Sequence, residues 1–294
     1  MVLVLGSHIN KNKTFLDTLK LTKCLNINCL QIMTSSPKNS QLGSISKKEA
    51  DECLNYVVDN DLFLMTHSKY ILNLASPKAW VHHAYSVQLE NAYKIGGSTS
   101  VIHLGKQCKM SYDEAYKNTI TNIKKTIKKV FSGAGAKEKK KYLRISIETS
   151  SGQGSEMLTR IEELGQLYKK FTAAEKKLIT FVIDTCHIFA AGYDIRTKKG
   201  AEDYWKKWNK EIGKNRVIAI HLNDSLNPLA SRKDRHGQFG KGYITNPALG
   251  GSPEGIKEII RIAKEKSIPL ILERGSETIT DIKKELDYIK KNYL

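Results

Sequence analysis

Short apolar runs alternate along the chain with longer stretches in which apolar residues recur every three or four positions. The first kind predicts buried strands and the second amphipathic helices, because side chains repeat every two residues across a strand and every 3.6 around a helix. Strand-like runs fall near 2–6, 28–33, 61–66, 100–104, 143–148, 179–184, 216–222 and 269–273. Helical patterns cover Asn12–Leu25, Lys47–Asn60, Lys78–Ile95, Asp113–Val130, Met157–Phe171, Tyr204–Ile212 and Gly255–Lys266, with Asp281–Asn292 closing the chain. Eight strand-like runs, each followed by a helical one, predict an α/β fold, a (β/α)8 or TIM barrel rather than an open sheet. No repeat, Pro-rich linker or break in composition divides the 294 residues, so 1–294 read as a single domain. Gly133–Lys141 is expected to be a surface loop before the fifth strand. Asn223–Gly255 is a long excursion after the seventh, and excursions past the C-terminal ends of barrel strands are where such enzymes build their sites.

Composition narrows the setting. No apolar stretch approaches the ~20 residues of a membrane span, and the opening Met1–Gly6 lacks the basic and apolar regions of a signal peptide, so no membrane partner is expected. Five cysteines, at 24, 29, 53, 108 and 186, form no paired framework. They imply a reducing intracellular compartment. A formal charge of +18 favours a polyanionic partner, nucleic acid first. Much of the excess lies in runs such as Lys124-Lys125, Lys128-Lys129 and Lys137–Lys141, which also suit solvated helix faces, so charge alone does not decide function.

The chemistry collects where the apolar runs stop. His67 ends the third, His103 the fourth and Glu148 the fifth; Asp184 and His187 follow the sixth, His221 the seventh and Glu273 the eighth, while Asp234 and His236 lie in the long excursion. A lone histidine at a strand end is more often a hydrogen-bonded core residue than a ligand. That explanation weakens when it must hold at every strand, since burying so many ionisable groups costs several kcal/mol each unless something neutralises them. Histidines and carboxylates converging on one barrel face predict metal ligands and a metalloenzyme. Cys186, between ligand positions, reads as a small buried thiol. Ser150–Gly154 reads either as a phosphate-cradling turn or as the loop that shapes the backbone behind Glu148.

Three long motifs carry a resemblance that runs the length of the chain: Glu-Thr-x-x-Gly-Gln-Gly at Glu148–Gly154, Asp-Thr-Cys-His-x-Phe-Ala-Ala-Gly-Tyr-Asp at Asp184–Asp194, and His-Leu-Asn-Asp at His221–Asp224 followed by Ser-Arg-x-Asp-Arg-His at Ser231–His236. With them the chain resembles the endonuclease IV family of apurinic/apyrimidinic (AP) endonucleases of base excision repair. The resemblance implies a zinc enzyme that hydrolyses the phosphodiester 5′ to an abasic site in double-stranded DNA, leaving a 3′-hydroxyl and a 5′-deoxyribose phosphate. It also implies three Zn²⁺ per chain: His67 and His103 on the first, with Glu148 bridging to a second held by Asp184, His221 and Glu273, and His187, Asp234 and His236 on the third. Glu148 and Glu273 would be catalytic through these ions. Lys38, Tyr70 and Ile71 would be the DNA contacts that fill the gap left by a flipped abasic nucleotide. Ser36-Pro37-Lys38 departs from the family, which usually has arginine there, and lysine lacks a planar guanidinium for stacking. For Tyr70 and Ile71 the competing expectation is packing beneath the third helix. The chain is expected to act as a monomer. The alternative enzyme on this fold is a metal-dependent sugar isomerase or epimerase, and a non-catalytic DNA-binding relic is the third reading.

Overall fold

Ten strands form among the described residues: β1 (Leu5–His8), β2 (Cys29–Met33), β3 (Phe63–His67), β4 (Thr99–His103), β5 (Arg144–Glu148), β6 (Ile179–Asp184), β7 (Val217–His221), β8 (Asp224–Ser225), β9 (His236–Gly237) and β10 (Leu270–Leu272). The computed structural model describes residues 4–36, 39–133, 135–274 and 278–294. Eight strands close a parallel barrel in the order β1-β10-β7-β6-β5-β4-β3-β2, and β8 and β9 make a separate antiparallel pair. The architecture is the TIM barrel that the alternation of runs predicts.

Strand alternation decides which side chains enter the barrel. Cys29, Met65, Val101, Val182, Ala219 and Ile271 form a small apolar cluster of their own. Their neighbours one residue along, among them Leu30, Leu64, Ile102, Ile183 and Ile220, belong instead to the large core shared with the helices. The small cluster is the barrel interior, and because side chains repeat every two residues the next inward positions are Gln31, His67, His103, Asp184, His221 and Glu273. The candidate ligands therefore lie one layer above the interior plug. Register levels them: His103 pairs with Glu148 and Asp184 with His221. At the closure, Gly6 pairs with Cys29, and a Cβ there would fall 1.9 Å from the Cys29 carbonyl oxygen, so β1 approaches β2 only with glycine.

The helices start where polar caps allow. Ser46, Ser111 and Thr197 accept from backbone amides three residues on, opening helices Lys47–Asp59, Tyr112–Val130 and Lys198–Glu211. Several bounds differ from the sequence expectation, among them helix Lys198–Glu211, which opens six residues before the expected Tyr204. β1 begins at Leu5 and runs to His8 rather than ending at Gly6, and residues 1–3 lie outside the described residues. Part of the expected 133–141 loop is a helix, Ala136–Tyr142. The excursion after β7 is organised by Asp224, whose buried carboxylate accepts from the amides of Ser225, Gly242 and Ile244 at 2.7–3.2 Å and from the Thr245 hydroxyl. Asp224 is thus fully occupied as an anchor and stands apart from the ligands. All five cysteines are free. Among the described residues no helix is long and apolar enough to cross a membrane.

Candidate metal centre

Nine side chains meet at the C-terminal mouth of the barrel in three groups, the first two sharing Glu148: His67, His103 and Glu148; Glu148, Asp184, His221 and Glu273; and His187, Asp234 and His236. Within each group one ligand atom per residue lies within 4.8 Å of the others. Glu148 is fully buried and divides its oxygens between groups. Oε2 stands 3.1 Å from His67 Nε2 and 3.4 Å from His103 Nε2, whereas Oε1 stands 2.7 Å from His221 Nδ1. Glu273, one residue past β10, reaches His221 Nδ1 at 2.9 Å. His187 and His236 bring Nε2 to 3.1 and 3.2 Å from Asp234 Oδ1.

Main-chain hydrogen bonds turn these rings. His67 Nδ1 lies 2.7 Å from the Ser68 carbonyl and His187 Nδ1 lies 2.8 Å from the Thr149 carbonyl, and His236 Nδ1 bonds the Glu273 carbonyl. A carbonyl oxygen only accepts, so each Nδ1 carries a proton and Nε2 is the ring atom turned toward the group. His187 Nε2 and His236 Nε2 are buried without a hydrogen-bond partner, although Asp234 is near. Buried ring nitrogens without a hydrogen-bond partner beside carboxylates are what a bound cation would satisfy. The donor set, five imidazoles and four carboxylates, suits zinc rather than the all-oxygen shells of magnesium. The residues fit the metal.

Charge balance follows the same pairing. Burial opposes charge on His187 and His221, but Asp184 and Asp234 around the first and Glu273 and Glu148 around the second outweigh it and hold both well above the ordinary imidazole value. Burial likewise opposes charge on His236, yet Asp184 and Asp234 lift it to about 9. For Glu148 burial would raise the carboxyl, and His103 and His221 pull it well below the usual range. His103 goes the other way, lowered by burial despite Glu148.

The xylose isomerase-like TIM barrel family model matches residues 19–291. The putative endonuclease 4 of Acanthamoeba polyphaga mimivirus is 31% identical over 97% of this chain and 89% of its own length. The chain belongs to the endonuclease IV family. The probable endonuclease 4 of Aquifex aeolicus is 28% identical over 94% of this chain and 93% of its own. In fold, the crystal structure of endonuclease IV from Thermus thermophilus superposes with a TM-score of 0.81, covering 98% of this chain and 97% of that one at 21% identity.

The endonuclease IV motifs now have physical roles. Asp184 caps the helix Thr185–Ala190, accepting from His187 N at 2.9 Å, and this turn carries His187 toward the third group. The Gly152–Gly154 turn is not an open phosphate cradle, because Glu156 Oε2 already accepts from Gly152 N at 3.1 Å, Gln153 N at 3.0 Å and Ser151 Oγ at 2.9 Å. Instead Gln153 Oε1 accepts from Asp234 N at 3.2 Å and Arg235 Nη1 at 3.0 Å, tying the loop behind Glu148 to the loop of the third group. Cys186 is buried, its thiol pushed up to about 12 chiefly by burial, and its sulfur faces the Arg235 carbonyl. It remains a packing thiol even though it lies near Asp184 and His236. Asn223, whose motif position gave no sign of a role, donates to Asp184 Oδ2 at 2.7 Å and accepts from Glu273 N at 2.9 Å.

The expected DNA contacts divide. Lys38 lies outside the described residues. Tyr70 and Ile71 are 55% and 42% exposed in the turn after β3, so they do not pack beneath the following helix, which begins at Trp80. The Tyr70 ring stands 5.3 Å from that of His67 and 6.4 Å from that of His103, on the rim of the first group.

Proposed function

We propose that this protein is a zinc-dependent AP endonuclease of base excision repair, hydrolysing the phosphodiester 5′ to an abasic site in duplex DNA. The products are a 3′-hydroxyl and a 5′-deoxyribose phosphate. The observation that carries the reading is the set of three adjacent ligand groups in which His67, His187 and His236 are turned by main-chain carbonyls to aim Nε2 inward. His67, His103 and Glu148 would hold one Zn²⁺, Glu148, Asp184, His221 and Glu273 a second, and His187, Asp234 and His236 a third. Bound zinc supplies Lewis acidity, stabilising a phosphodiester and its departing alkoxide and making water a stronger nucleophile near neutral pH. Glu148 and Glu273 keep the buried groups compact by neutralising the histidines on either side, while Asn223 fixes Asp184 and Glu273 relative to one another. A sugar isomerase on this barrel needs fewer ions, and a net charge of +18 offers such a substrate no advantage. The same charge supports binding to a polyanion through counterion release, and five free cysteines support a reducing compartment. The chain would act as a monomer.

The deciding substrate is a duplex bearing one tetrahydrofuran abasic analogue. It lacks the aldehyde that a lysine-based lyase requires, so it separates hydrolysis from β-elimination. A single nick immediately 5′ of the analogue with a 3′-hydroxyl is expected, abolished by strong chelation and restored best by Zn²⁺. Cleavage of the natural site alone would overturn the hydrolytic reading.

Tyr70 and Ile71 would enter the gap left by the displaced nucleotide. Replacing both with Ala is expected to spare binding to intact duplex and to lower the preference for abasic duplex about tenfold or more, since stacking on one aromatic contributes roughly 1–3 kcal/mol. Titration of both duplexes at one salt concentration checks this, and an unchanged preference would remove the pair from the DNA interface.

A further inference from the structure

Beneath the ligands lies a fully buried amide that the metal set does not use. Gln31, on β2, extends three contacts into the centre. Its Oε1 stands 2.8 Å from His221 Nε2, and its Nε2 stands 3.0 Å from Glu273 Oε1 and 3.0 Å from His8 Nδ1. The orientation of the amide follows from chemistry, because an amide oxygen turned toward Glu273 would face a carboxylate oxygen, so the NH₂ must point there. The oxygen then faces His221 and accepts its Nε2–H. His8 sits opposite Gln31 in the β1–β2 register and takes the second N–H on Nδ1.

His221 differs in this respect from the other histidines turned by a neighbour. His67, His187 and His236 are fixed through Nδ1 by main-chain carbonyls, whereas His221 is fixed through Nε2 by a side chain and presents Nδ1 to Glu148 and Glu273. The outward ring nitrogen of a ligand histidine normally meets a fixed acceptor, which sets its tautomer and the aim of its lone pair. Among the described residues no main-chain carbonyl does this for His221, and Gln31 stands in that place.

We propose that Gln31 is the positioning residue of the second group. By accepting from His221 Nε2 and donating to Glu273 Oε1 it aims two ligands of one zinc ion at once, with His8 bracing the amide from behind. The inference rests on zinc occupying this group, as argued above. It assigns no contact with the substrate to Gln31.

Gln31→Leu keeps the approximate volume and removes all three contacts. In a chelator competition followed by metal analysis, one zinc ion should leave the variant about ten- to hundredfold more readily than it leaves the unsubstituted protein, with the other ions held as before. Unchanged release, or equal weakening of every ion, would overturn the proposal, because a role confined to barrel packing does not select one site. A second measurement needs no variant. Long-range proton–nitrogen correlation on the zinc-loaded, histidine-labelled protein should place the His221 proton on Nε2 with Nδ1 bare, and the reverse pattern would overturn the proposal however the variant folds. Unsubstituted protein that takes up no zinc would sink the zinc reading itself. Full zinc with no selective release from the Leu variant would sink this inference alone.

Discussion

On the proposed zinc reading, Glu148→Gln is expected to leave the purified protein with about one zinc ion in place of three and to slow cleavage 5′ of an abasic analogue by at least about a thousandfold, about 4 kcal/mol of barrier. The size of the effect follows from the position of the carboxylate. One oxygen faces His67 and His103 while the other faces His221, so the side chain belongs to two ligand groups. An amide offers one oxygen and turns an NH₂ toward the opposite group, where it cannot serve as a ligand to the proposed zinc ion. It also removes one negative charge from a site buried away from water, where no solvent can replace it. The barrel itself should persist, because Ile145 and Ile147 of β5 still pack in the main core and Ser146 still bonds Thr99 and Thr180. Elemental analysis after gentle purification and single-turnover cleavage check the two parts separately. Three retained ions with full activity would remove Glu148 from the centre.

Five of the nine candidate ligands were legible because each follows an apolar residue at the inward phase of its strand, a pattern that survives without any structure: Met65 then His67, Val101 then His103, Val182 then Asp184, Ala219 then His221, Ile271 then Glu273. The same rule should have revealed His8 and Gln31. His8 was hidden because the apolar run appeared to stop at Gly6, two residues short of the strand end. Gln31 was hidden because an uncharged amide in Cys29–Met33 carries no signature of metal chemistry, and only its partners give it a role. Helix Ala136–Tyr142 buries none of its residues, so it has no apolar stripe for periodicity to detect, and its lysines read equally well as loop. Whether the Gly152–Gly154 turn was open or filled depended on where Glu156 points, and sequence spacing does not give a side-chain direction.

Zinc at the third group should bind more tightly as pH rises, more steeply than at the first. The sign follows from the metal-free protein. Asp184 and Asp234 overcome the penalty of burial and hold His187 well above the ordinary imidazole value and His236 at about 9, so near neutral pH both rings carry an extra proton. A ligand nitrogen must lose that proton before it can bind metal, and raised values extend the competition upward in pH rather than relieving it. Two protons displaced per ion give roughly a hundredfold gain in affinity per pH unit between about pH 6 and 8, with the slope falling as pH passes 9. In the first group burial pushes His103 down, so of its two imidazoles only His67, raised by Glu273 and Glu148 against burial, contributes such a proton. Acidification should therefore empty the third group first and leave the first occupied. Calorimetric titration in buffers of different ionisation enthalpy counts the protons released, and metal analysis after dialysis at stepped pH orders the losses. Zinc loss in the opposite order, or binding without proton release, would show that the carboxylates around His187 and His236 do not hold those rings charged.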